Sequence, residues 1–93
     1  MDAYIDNIAV TAIGPLEAQQ LIATGNCNHV DQTLVDRYAS DMKRGLWVYP
    51  GGIIEITADG RLKDGHHRLL AIIQCGIPQI MIVVHNVAEN IKR

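Results

Sequence analysis

The sequence predicts an α+β protein, a small mixed sheet carrying about three helices, and three observations predict it. Three windows of apolar residues recur at spacings of three and four, and each is closed by a glycine. Two short runs, IIEIT and IMIVV, have strand character and are interleaved with those windows. The chain has 93 residues, 48% of them hydrophobic and 19% charged, which is the composition of one folded domain spanning 1–93. There is no Phe and only one Trp, so the core must be aliphatic.

Taken in order, residues 8–13 (IAVTAI) suit a short strand. GPLEAQQLIATG then reads as a first helix, with Pro15 at a first helical position and Gly25 just past the end. A second helix covers residues 31–44. Asp31 is its N-cap, Leu34, Val35, Tyr38 and Met42 are its apolar stripe, and Gly45 is its stop. Trp47 follows, read as a lid on the core. In IIEITADGRLK, Ile54 and Ile56 share one face and Glu55 and Thr57 the other. Asp59-Gly60 predicts a two-residue hairpin turn with a return strand over residues 61–63. A third helix, about residues 66–75, is apolar nearly all round and therefore buried; Gly76 and Pro78 end it. IMIVV, residues 80–84, reads as a central strand covered on both faces.

The start of the third helix is where the chemistry concentrates. KDGHHRLLAI places Asp64, Gly65, His66, His67 and Arg68 in front of and within the first helical turn. First-turn amides have no acceptor within a helix, and the helix dipole favours an anion there. Arg68 offers a planar fork suited to phosphate oxygens, and a histidine adds a donor that switches with pH. Cations at a helix N-terminus are misplaced by about 0.3–1 kcal/mol each, a conflict that a bound anion resolves. The competing reading is that Asp64 caps the helix and pairs with Arg68, with the histidines neutral and solvated. Adjacent histidines diverge by about 100° on a helix, so a metal site would need Asp64 or His29 as well, and none is expected. His85 reads as a surface histidine.

The net charge of −2 disfavours a protein that coats duplex DNA. The start MDAYIDN carries acids where a signal peptide carries bases, and no apolar run approaches membrane-spanning length. A cytoplasmic protein is expected, with Cys27 and Cys75 as free thiols.

Two stretches carry a family resemblance. ITADGRLKDGHHRLLAIIQCGIPQIMIVV, residues 56–84, resembles the central segment of the ParB/sulfiredoxin superfamily, in its phage and mobile-element branch with a DG-x-HR-L motif. YASDMKRGLW, residues 38–47, is similar to that branch's Y-x-x-D-M-x-x-G-x-W element. Together they extend the resemblance over roughly residues 8–87. It implies a compact ParB/sulfiredoxin-like fold in which a Gly-x-x-Arg turn binds nucleotide phosphates at a helix N-terminus. Gly65 would be the turn glycine, His67 and Arg68 the phosphate-contacting pair, and Asp64 the acid before them. Where sulfiredoxins carry a nucleophilic cysteine, this chain has His66, and Cys75 lies at the far end of the helix, so sulfinic-acid reduction is not expected. Partitioning ParB proteins follow the turn with a helix-turn-helix domain; with the chain ending at Arg93, operator binding in that style is not expected either. The branch's Asn-Arg pair falls near Asn28 and His29, which with Trp47 are candidates to complete the pocket.

Three functions follow as expectations. The first is a module binding a nucleotide or other phosphorylated ligand, with Mg as a companion ion if the ligand is a nucleotide. The second is a non-enzymatic interaction protein that blocks a host protein or sequesters a nucleotide signal in the host cytoplasm. The third is a ParB-like nuclease or DNA-binding module, in which Asp64 is the one acid placed for catalysis. A homodimer is a further expectation, resting on a small core and on IMIVV lying near a sheet edge.

Overall fold

A computed structural model of the chain describes residues 7–25, 29–47 and 52–87. Its elements are β1 (Ile8–Ile13), α1 (Pro15–Thr24), α2 (Gln32–Lys43), β2 (Ile53–Thr57), β3 (Leu62–Asp64), α3 (His66–Cys75) and β4 (Gln79–Val87). The class is a mixed α+β fold, with three helices beside a four-stranded sheet of order β1-β4-β2-β3.

Helix starts follow local chemistry. Pro15 stands at the first turn of α1, where its missing N–H costs nothing, and the Glu17 carboxylate accepts the Gly14 amide at 3.0 Å. Asp31 caps α2 by accepting the Leu34 amide at 3.2 Å. The β2–β3 connection differs from the two-residue turn that Asp59-Gly60 suggests. Gly60 donates to the Thr57 carbonyl at 3.0 Å and Thr57 donates to the Arg61 carbonyl at 2.8 Å, so the loop holds three residues, 58–60. The return strand accordingly begins one residue later, at Leu62. Thr57 is buried and not on a solvent face; it lies at a register shift that follows Glu55, and its hydroxyl donates to Asp59.

β4 runs antiparallel to β1 and parallel to β2, so IMIVV lies inside the sheet and not near an edge. The core forms on one face only. Ile13, Ile54, Ile56, Leu62, Met81 and Val83 point toward the helices. They meet Val35 and Met42 of α2, Ala18 of α1, and Leu69 and Ile72 of α3. Burying each large aliphatic here is worth about 1.5–3 kcal/mol. α3 packs against both α1 and α2, which explains its apolar character on several sides. The expectation that β4 is covered on both faces fails: Ile80, on the face away from the helices, is 47% exposed.

Candidate functional site

The short β3 strand delivers the chain to Gly65, which takes φ 113°, ψ 11° and serves as the N-cap of α3. A side chain is excluded there twice over. The left-handed conformation disfavours one, and a Cβ would stand 2.6 Å from Ile54 Cδ1. The glycine therefore seats the first turn of α3 tightly against β2. Unlike α2, which Asp31 caps, this helix has no side-chain cap hydrogen bond, and unlike α1, with Glu17, it has no acid in its first turn. Asp64, expected either as the cap or as a partner of Arg68, instead accepts the amide of its neighbour Gly65 at 2.9 Å.

Three side chains leave this turn in three directions. His66 turns toward the end of α1, so close that a Cβ on Gly25 would lie 2.8 Å from its Cε1. Its pKa is pushed below the ordinary histidine value chiefly by burial, then by repulsion from His67, with the Asp64 carboxylate opposing. His67 turns toward α2, where its Nε2 accepts the Asp31 backbone amide at 3.0 Å. An accepting Nε2 carries no proton, so the ring proton sits on Nδ1.

Arg68 lies over Gly52 and reaches Tyr38, its guanidinium carbon 6.0 Å from the ring centroid. Gly52, at φ 140°, leaves the space the arginine occupies; a Cβ would stand 2.1 Å from Arg68 Nε. Tyr38 in turn meets Trp47 edge to face, with centroids 4.9 Å apart. Trp47 is half-buried against the core, in keeping with its reading as a lid. Two donors in this corner, Arg68 Nε and Trp47 Nε1, are buried without an acceptor. Among the described residues Arg68 forms no ion pair.

Asn28 and Cys27 fall outside the described residues; His29 is exposed, two residues before the Asp31 cap. Cys75 is a free thiol at the far end of α3. Among the described residues no group of His, Cys, Asp or Glu is placed to hold a metal ion, and no helix is long and apolar enough to cross a membrane. His85 is exposed, as expected, and borders a cavity of about 420 Å³ between α1 and the sheet, floored by Ile13, Leu21, Ile56 and Val83. That cavity is mainly apolar and also lined by the Glu17 carboxyl, so it is a poor place for an anion.

Sequence reasoning named the residues of this corner correctly as types but missed Tyr38, Asp31 and Gly52 as their neighbours. The only signal for Tyr38 was its place in the YASDMKRGLW element; Gly52 gave none beyond its identity. Comparison of the chain with family models, with curated proteins and with solved structures gives no match in any of the three.

Proposed function

We propose that the chain is a small ParB/sulfiredoxin-like module that binds a phosphorylated ligand, a nucleotide being the favoured kind, at the start of α3. One observation carries the reading: Arg68 has a buried Nε without an acceptor and no ion pair among the described residues, beside a helix start that no side chain caps. A buried charged donor left unpaired costs free energy, and an incoming anion supplies the missing acceptor. The bare first-turn amides and the helix dipole act on the same guest. Mg is its natural companion if the guest is a nucleoside triphosphate. Asp64 is engaged with Gly65, so the reading covers binding and assigns no catalytic base.

The test is a thermal-shift series with inorganic phosphate, pyrophosphate and nucleotides against chloride at matched ionic strength. A ligand at about 100 times its Kd stabilises by roughly 2.7 kcal/mol, a rise of about 10–20 °C for a domain of this size. Arg68→Ala should erase the gain, while Lys43→Ala, at the far end of α2, should keep it. No gain with any phosphorylated compound would sink the reading and favour the interaction-protein alternative, for which the exposed Ile8, Val10, Ile53 and Ile80 of the sheet speak.

A further inference from the structure

The cavity between α1 and the sheet has a floor of four aliphatic side chains, Ile13, Leu21, Ile56 and Val83, at the border of the core. It stands open for two reasons. α1 packs on α3 and touches β3 more than it touches β1 or β4, and its one fully buried residue is the small Ala18. Side-chain parity puts Thr11 on the same side of β1 as Ile13, and Thr11 lines the cavity where a longer aliphatic would close it. The volume of about 420 Å³ lies within the roughly 300–1,000 Å³ of small-molecule sites. His85 reaches the cavity from β4 at a bulge: Val84 stands opposite Glu55 but Val87 opposite Thr57, one residue more on β4 than on β2. The next residue, Asn86, takes φ 64° and is the one non-glycine among the described residues in the left-handed region. Bulges and backbone departures of this kind gather beside ligand sites.

We infer that this cavity binds a small amine, with its apolar body on the aliphatic floor and its ammonium group at Glu17. Charge selects the head group. Glu17 is the one carboxylate of the lining, and neither Lys nor Arg lines it. Oε1 of Glu17 accepts the Gly14 amide at 3.0 Å, and Oε2 has no partner among the described residues. A carboxylate at the rim of an apolar recess attracts a cation and repels an anion more strongly than it would in open water. A neutral His85 imidazole is a second acceptor on the same lining. The floor selects the body, since hydrocarbon laid on Ile13, Leu21, Ile56 and Val83 leaves water as it binds. None of these residues belongs to the α3 start, so the inference does not rest on the anion site.

A methyl-detected NMR titration of the whole chain at neutral pH tests it with hexylamine, hexanol and hexanoate, which share one body and differ in the charge of the head. The expected result is saturable shifts of the Ile13, Leu21, Ile56 and Val83 methyl signals. Hexylamine should bind about tenfold or more tighter than hexanoate, with hexanol between them. Glu17→Gln keeps an acceptor for the Gly14 amide and should bring hexylamine down to the affinity of hexanol. Thr11→Leu should fill the cavity and weaken all three probes by about tenfold. Far-UV circular dichroism identifies a variant that does not fold; should either fail, the ranking of the probes on the wild type decides. Cavity methyls that stay unshifted at millimolar hexylamine overturn the inference. So do equal affinities for hexylamine and hexanoate, or a preference for the amine that survives in folded Glu17→Gln.

Discussion

The imidazole of His67 accepts the backbone amide of Asp31 at 3.0 Å, tying the first turn of α3 to the N-cap of α2 across 36 residues of sequence. The residue expected to face a phosphate thus has a partner within the fold, and the starts of two helices are held side by side. His67→Ala should cost about 0.5–1.5 kcal/mol, the net worth of one such bond. His67→Gln, which keeps an acceptor on a flexible arm, should recover part of it. Urea unfolding at neutral pH measures both, and equal losses in the two variants would deny the bond any role.

Gly65 is held at φ 113° with Ile54 against it. Gly65→Ala should therefore destabilise by about 1–3 kcal/mol through backbone strain, with overpacking against Ile54 added to it. A Tm lowered by less than a few degrees would show that the turn relaxes around the methyl group.

Arg68 presents the opposite expectation. Its buried Nε has no acceptor, so Arg68→Met, similar in reach and without the donor, should leave the stability of the free protein unchanged or raise it by up to about 1 kcal/mol. The same change should remove any stabilisation by phosphate. A residue whose loss improves the empty protein and abolishes its response to a ligand is held there for the ligand. If Arg68→Met instead unfolds the protein, the packing over Gly52 and Tyr38 is the reason for the arginine.

Acid should weaken the fold through His66. Its folded pKa lies below 6.5 because burial penalises the cation, so the unfolded chain binds more protons once the pH falls under that value. Stability attributable to His66 is intact above about pH 6.5 and is lost as the pH falls through that range toward the folded pKa. His66→Gln should flatten this part of the stability–pH curve, measured by urea unfolding between pH 7.5 and pH 5. An anion at the α3 start should flatten it as well, by stabilising the imidazolium. An unchanged slope in His66→Gln would assign the acid loss to other groups.

Much of the fold was legible because its signals are local. Pro15, Gly25 and Asp31 mark helix ends through backbone rules that need no partner, and the apolar stripes of α1 and α2 repeat within each helix. The turn at residues 58–60 was misjudged by one residue because Thr57 and Gly60 together close a longer loop than Asp59-Gly60 alone suggests. β4 was misjudged differently. An apolar residue at every position reads as cover on both faces, yet Ile80 on the face away from the helices is exposed. At the site, the position of the helix start and the kinds of side chain were readable. Their directions were not.

The sequence by itself determined the elements, their order and the concentration of donors at the start of α3, since periodicity and capping act over three or four neighbouring residues. Only the tertiary structure decided that His67 is spent on Asp31, that Arg68 rests on Gly52 and Tyr38 with a donor unanswered, and that Ile8, Val10, Ile53 and Ile80 stand exposed on the sheet. Those outcomes depend on contacts between residues far apart in the chain, and spacing along a single element carries no record of what packs against it.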